Sequence, residues 1–233
     1  MKEVLLVSGG INSTVMMYRE LMTKGHEIHP LAIDYGQKNL GRERTALLKT
    51  WGHLDSIVDE RTKDRLKSIK FLDVSIMRYL FRSALTFPDI QIPDYDTSPG
   101  GDHNPTIVPY RDPFFISIAA VTANLVDAQR ILIGNNNMSI KMFDALKELV
   151  SAASKNEMKL EVPFAEMKKE EIMRMGMILQ VPFELTSGCF RDKAHACGTC
   201  DNCHERKRAF REAMIEDRTI YVDDVRAKRN CCG

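Results

Sequence analysis

Two stretches of this sequence carry side chains whose types and spacing could do chemistry. The first is Ser8-Gly9-Gly10-Ile11-Asn12-Ser13-Thr14, placed directly after the short apolar run Val4 to Val7. Glycines at such a point let the backbone turn tightly and approach a ligand closely. The N–H groups that open a following helix then point into the same space, and the positive end of the helix favours phosphate there. Ser8, Asn12, Ser13 and Thr14 add hydroxyl and amide groups. The stretch lacks the lysine of a Walker A loop, which argues against a GTPase-type site. It also lacks G-x-G-x-x-G, which argues against a dinucleotide fold. A glycine turn with a capped helix would give similar letters. Two glycines and four polar side chains crowded at one strand end favour a ligand.

The second stretch is Cys189-x7-Cys197-x2-Cys200-x2-Cys203. Two consecutive Cys-x2-Cys steps let a tight knuckle present three thiolates to one metal, with Gly198 at its turn and Cys189 closing the set. Four thiolates in tetrahedral array suit a closed structural zinc site (Zn2+). An iron–sulfur cluster uses related runs and is the competing reading. His195 and His204 are expected on the surface or behind the ligands. Cys231 and Cys232 read as an exposed tail outside the site.

Three further groups sit where elements begin or end. Tyr35-Gly36-Gln37 closes a second apolar run and faces the same crevice as the glycine loop. Arg111, in Val108-Pro109-Tyr110-Arg111-Asp112, could hold a phosphate or carboxylate through two parallel hydrogen bonds. Alone it reads equally well as a surface ion pair. Lys169 follows Pro163 at a helix start, and alone it reads as part of a solvated charge run.

The elements that position these groups follow from hydrophobic period. Val4 to Val7, Ile28 to Asp34 and Arg130 to Ile133 read as buried strands, and His53 to Asp59 as a third strand in chain order. Helices are expected over Ser13 to Met22, Leu40 to Trp51, Pro113 to Asp127, Met142 to Ser154, Lys168 to Leu179 and Asn202 to Glu216. The apolar face of the Pro113 helix would be Phe115, Ile118, Ala119, Thr122 and Leu125. Phe87 to Pro109, with five prolines, reads as a long loop. Alternating strands and helices imply an α/β fold with a doubly wound parallel sheet. The expected division is an α/β domain over 1–183 and a cysteine-bearing segment with its helix over 184–233.

Composition bounds the function. The chain has 233 residues, 44% hydrophobic and 28% charged, with 33 Lys plus Arg against 32 Asp plus Glu, so it reads as globular and nearly neutral. Near-neutrality argues against a polynucleotide partner, which needs a clustered basic excess. All six cysteines lie from residue 189 onward, a metal pattern rather than a disulfide framework. No run approaches the roughly 20 apolar residues of a membrane span, and a cytoplasmic protein is expected.

The Ser8-Gly9-Gly10-x-x-Ser13 loop resembles the pyrophosphate loop of N-type ATP pyrophosphatases. Asn12 stands where that pattern has aspartate, keeping the shape and losing the charge. Taken with Tyr35-Gly36-Gln37, Val108-Pro109-x-Arg111, Pro163-x5-Lys169-x-Glu171-Ile172, Val181-Pro182-Phe183-Glu184-Leu185-Thr186 and the four-cysteine run, the order and spacing resemble the 7-cyano-7-deazaguanine synthases over nearly the whole chain. The resemblance implies a Rossmann-like sheet of the adenine nucleotide alpha hydrolase type, a C-terminal zinc knuckle, ATP, Mg2+ and a homodimer. It implies phosphate binding at Ser8, Gly9, Gly10, Ser13 and Thr14, with Asn12 in the aspartate's place. It implies ATP contacts at Tyr35 and Gln37, and phosphate or transition-state roles for Arg111 and Lys169. The activity implied is adenylation of 7-carboxy-7-deazaguanine, amide formation with ammonia, and dehydration to the nitrile.

The departures point to a divergent member. The family tract after the Ile-Gly strand end, resembling Asp-Tyr-Ser-Gly-Tyr-Pro-Asp-Cys-Arg, is replaced by Asn135 to Ala145, in which Asp144 alone matches. Asp112 replaces the usual asparagine after Arg111. Divergent relatives of this kind occur in anti-phage (CBASS-type) defence operons, where a protein amine takes the deazaguanine acyl group. Two other classes are weighed against these. A tRNA-modifying ligase or thiolase of the same ATP-using class would want a cysteine pair earlier in the chain. A non-catalytic zinc and nucleotide-binding module is favoured by Asn12.

Overall fold

The computed structural model describes residues 1–97, 104–135, 139–154 and 158–222. Five strands form one parallel sheet: β1 (Lys2–Leu6), β2 (Glu27–Asp34), β3 (Lys70–Asp73), β4 (Arg130–Ile133) and β5 (Lys159–Glu161). Their spatial order is β3-β2-β1-β4-β5. In register, Leu5 lies opposite Pro30 on one side and Leu132 on the other. The chain winds outward in both directions from β1, so the order reverses between β1 and β4. The carboxyl ends of those two strands frame the crevice where doubly wound sheets hold ligands.

Helices cover both faces, which is why the inner strands read as continuous apolar runs. Val4 and Leu6 face a core with Ile116, Ala119 and Ala123 of α4 (Arg111–Leu125) and Leu146 and Val150 of α5 (Ile140–Ala153). Leu5 and Val7 face the opposite core. There Val15, Met16 and Tyr18 of α1 (Ile11–Arg19) meet Leu47 and Leu54 of α2 (Leu40–Ile57) and Ile172 and Met173 of α6 (Lys169–Ile178). The short α3 (Glu60–Lys63) is capped by Asp59, whose carboxylate accepts from the Thr62 N–H. In α7 (Asp201–Ala213), Cys203 joins the first core while Ala209 and Phe210 join the second. The segment after residue 183 thus contributes to both cores and has no separate one among the described residues.

Three sequence expectations are corrected. His53 to Asp59 is not a strand: α2 continues to Ile57, with Leu54 in the core and the His53 Nδ1 bonded to the Tyr18 hydroxyl at 2.8 Å. The third strand comes later, at Lys70–Asp73, and a fifth, Lys159–Glu161, goes unread in the sequence. The buried face of α4 uses Ile116 and Ala123 with Ala119 and Thr122, while Leu125 is 69% exposed. The other helices begin and end within a few residues of expectation. Cys231 and Cys232 lie outside the described residues.

Candidate functional site

The glycine loop is built by backbone geometry. Gly9 adopts φ +73°, and a Cβ there would come within 2.7 Å of the Glu43 carbonyl and 2.8 Å of the Leu47 nitrogen. Only glycine lets β1 turn against α2 this closely. Gly10 then caps α1, and the Thr14 N–H donates to its carbonyl at 3.0 Å. The Ser13 hydroxyl donates to the same carbonyl and accepts from the Ser8 N–H. These bonds hold the opening turn of α1 with its N–H groups directed past the end of the sheet. Gly134, after β4, packs flat on this turn: a Cβ there would sit 3.1 Å from the Ser13 nitrogen.

A cavity of about 1250 Å³ opens at this edge of the sheet. Ser8, Gly10, Asn12 and Ser13 line it, and Tyr35, Gln37, Arg111 and Lys169 line it too. Residues far apart in sequence therefore meet around one space. Gly9 shapes the loop from behind. Thr14 is buried, and its hydroxyl finds no hydrogen-bond partner among the described residues.

Lys169 opens α6 and aims its ammonium at the loop, where it donates to Asn12 Oδ1. Burial, followed by repulsion from Arg206, lowers its pKa to about 8, with Glu205 opposing. The reading of Lys169 as a solvated charge does not survive, because α6 turns its first residue into the cavity. Arg206 is itself buried and held by Thr186, Thr219 and the Phe183 carbonyl at 2.7–2.8 Å.

Arg111 begins α4 directly after Tyr110, which takes a left-handed φ of 56°. Its Nε donates to Asp112 Oδ1 at 2.9 Å, and Asn135 Nδ2 donates to Asp112 Oδ2 at 2.8 Å. The Tyr35 hydroxyl is hydrogen-bonded to Arg111, and burial pushes that phenol well above its ordinary pKa. The Tyr35 ring meets Phe115 edge-on at 5.2 Å. Arg111 is thus held by Asp112 and Tyr35 where it lines the cavity.

Gln37 lies on the wall, but the protein uses its carboxamide. Oε1 accepts from the Tyr35 N–H at 2.9 Å and Nε2 donates to Glu43 Oε2 at 3.0 Å. The side chain fixes the end of β2 rather than offering a donor to a ligand. Glu43, unnoticed in the sequence, is a carboxyl in this wall. Burial raises its pKa, against hydrogen bonds from Gln37 and Asn39 and the charge of Arg111, which favour the anion. Its signal was Tyr-Gly-Gln followed by Glu six residues on, a spacing with no meaning until α2 is placed. Asp144 lies on α5 with its side chain 58% exposed, outside the cavity wall, and 136–138 lie outside the described residues.

The four cysteines converge. Sγ atoms of Cys189, Cys197, Cys200 and Cys203 all lie within 4.8 Å of one another, and all four residues are buried. The Cys197–Cys203 separation is 3.8 Å. A tetrahedron of Zn–S bonds of about 2.3 Å has edges of about 3.8 Å, so the donor set fits zinc. Backbone N–H groups of Arg191 and Cys197 point at the Cys189 sulfur, and that of Cys200 at the Cys197 sulfur, at 3.3–3.4 Å. Gly198 takes φ +80° at the turn. His204 stacks on Tyr95 with ring centroids 3.6 Å apart and stays outside the sulfur cluster.

The family described as Queuosine biosynthesis protein QueC matches residues 2–214. The chain is 31% identical to a 7-cyano-7-deazaguanine synthase of Coxiella burnetii, over 96% of this chain and 99% of that one. It is 35% identical to a protein of the same name from Picrophilus torridus, over 95% and 92%. Among solved structures it is similar to a U34-tRNA thiolase from Methanococcus maripaludis, with TM-score 0.50 and 12% identity over 81% of this chain and 59% of that one. That last likeness concerns the fold alone.

Proposed function

The chain belongs to the QueC family of queuosine biosynthesis proteins, and from that premise we propose that it is an ATP-dependent ligase acting on 7-carboxy-7-deazaguanine. The carboxylate oxygen attacks the α-phosphorus of ATP, pyrophosphate leaves, and an acyl adenylate forms. Ammonia attacks the acyl carbon and AMP leaves, giving the amide. A second ATP activates the amide oxygen. Loss of that oxygen with AMP, and of the two amide protons, leaves the nitrile.

The single observation that carries this reading is the convergence of Arg111 and Lys169 with the Gly9-Gly10 loop on one cavity at the β1/β4 edge. The N–H groups of the loop and the first turn of α1 suit the departing pyrophosphate. Arg111 and Lys169 supply cationic donors for the charge that grows on the α-phosphate. Both are held before the reaction, Arg111 by Asp112 and Tyr35 and Lys169 by Asn12, so little reorganisation is needed. Mg2+ enters with the nucleotide phosphates and neutralises part of their charge. Asn12 offers oxygen without charge, so Lys169 rather than a carboxylate–metal contact dominates this side of the phosphates. The cysteine cluster holds Zn2+ as a closed site with four protein ligands, a structural rather than catalytic arrangement.

The test is incubation with ATP, Mg2+ and 7-carboxy-7-deazaguanine, with and without ammonia, read by mass spectrometry. AMP and pyrophosphate with amide or nitrile product are expected. A mass gain on a protein amine would move the acceptor from ammonia to protein and leave the adenylation intact. Absence of AMP under all conditions would overturn the proposal.

A further inference from the structure

The cysteine cluster and the wall of the cavity are joined through Asn39. Asn39 precedes α2 and is only 4% exposed. Its amide nitrogen donates to the backbone carbonyl of Cys189 and to Glu43 Oε1, each at 3.0 Å. A backbone carbonyl can only accept, so the orientation of the Asn39 amide is fixed by its partner. The other oxygen of Glu43 takes the Gln37 amide, and Gln37 in turn holds the Tyr35 N–H at the end of β2. One unbroken chain of hydrogen bonds therefore runs from the first cysteine of the cluster to the wall that carries Tyr35. A second thread lies beside it: the Ser187 N–H donates to the Gly9 carbonyl at 2.8 Å.

The sulfur cluster is what fixes the Cys189 carbonyl. Its Sγ accepts from Arg191 and Cys197 N–H groups and packs against three other thiols. With the four sulfurs drawn to one metal, residues 187–191 have a single arrangement. Without that tie the carbonyl is free to rotate and the buried Asn39 amide loses an acceptor, a costly state that relaxes by moving Asn39 and, through its bond to Glu43, the wall.

We propose that Asn39 is a positioning residue that transmits the geometry of the metal-bound cysteine cluster to the nucleotide cavity. Metal occupancy thereby sets ATP affinity. The inference depends on the proposed function only in taking ATP as the ligand.

The test uses the full chain and two variants, Asn39→Ala and the isosteric Asn39→Asp, whose ionised carboxylate cannot donate to the carbonyl. Both are expected to retain the wild-type ratio of zinc to protein. Amide hydrogen exchange over residues 35–43, in the absence of nucleotide, should speed up about tenfold, a local opening above an intact fold. The dissociation constant for ATP with Mg2+ should rise roughly tenfold, the scale of losing a hydrogen bond to a charged group. Stripping zinc from the wild type with a chelator should loosen the same segment. Stripping it from Asn39→Ala should add less than about twofold, because the link is already cut. Unchanged protection over 35–43 after metal removal from the wild type would overturn the proposal whatever the variants do. Equal chelator effects in wild type and Asn39→Ala would overturn it as well. A wild-type chain that binds no ATP would count against the functional reading instead, and the exchange measurement would still decide the coupling.

Discussion

The ammonium of Lys169 donates to the side-chain oxygen of Asn12 across 157 positions of sequence. That bond joins the start of α6 to the start of α1 on the wall of the cavity. It pairs a cation with a neutral amide, and the pairing has consequences that can be measured.

Substituting Asn12→Asp gives Lys169 an anionic partner. The lysine pKa should rise from about 8, and the alkaline limb of adenylation should move upward with it. In the wild type, activity should fall as pH passes through about 8, since the cation is the working form. A pH–rate profile of both proteins checks this. An alkaline limb at the same pH in the two would show that Lys169 is not the group titrating.

The same lowered pKa makes a stability prediction of definite sign. Between pH 8 and the ordinary lysine value of 10.5 the unfolded chain binds more protons at this position than the folded one. Stability is therefore gained as pH rises through that window, and the buried cation is a burden below it. Lys169→Met should abolish nucleotide chemistry. It should raise stability at pH 7 by on the order of 1–2 kcal/mol, after discounting for partial exposure. The gain should vanish near pH 10.5, as read by urea unfolding at the two pH values.

Arg111→Lys keeps the charge and loses the planar fork that Asp112 and Tyr35 aim. The substitution is not conservative at such a site. The value of kcat/KM for the carboxylate should fall about 100-fold, the scale of removing one preorganised donor. Unfolding should change little. Steady-state kinetics with a thermal melt distinguish the two effects.

Gly9→Ala places a methyl at φ +73° with the Glu43 carbonyl 2.7 Å away. A cost of roughly 1–3 kcal/mol is expected, with loss of ATP binding. Gly52→Ala is the control, since a Cβ there meets nothing within 4 Å and replaces glycine inside α2. It should stabilise by about 0.5–1 kcal/mol. Melting curves and ATP titration read both.

Much of this arrangement was legible in the sequence, for physical reasons that particular residues make plain. Val4 to Val7 and Ile131 to Ile133 are buried, so they announce themselves as uninterrupted apolar runs. The cysteines were legible because metal ligation constrains both residue type and spacing. The edge strands were not. Lys70–Asp73 is largely exposed and half charged, and Lys159–Glu161 has three residues, so neither carries a period. His53 to Asp59 misled because the end of α2 buries only Leu54 over this stretch, which looks much like a short strand. Glu43 was hidden for a different reason, and Lys169 was marked only by the resemblance. Their neighbours in sequence are charged or polar, and only the placement of α6 and α2 against β1 turns them into the cavity.

The central claim is that this cavity forms an acyl adenylate from 7-carboxy-7-deazaguanine. Isotope exchange between labelled pyrophosphate and ATP tests that step without reference to the acceptor amine. Exchange is expected to require both the carboxylate and Mg2+, to need no ammonia, and to fall at least about 100-fold in Arg111→Lys. Exchange that proceeds without the carboxylate, or none at any pH between 6 and 8 with zinc-loaded protein, would contradict it.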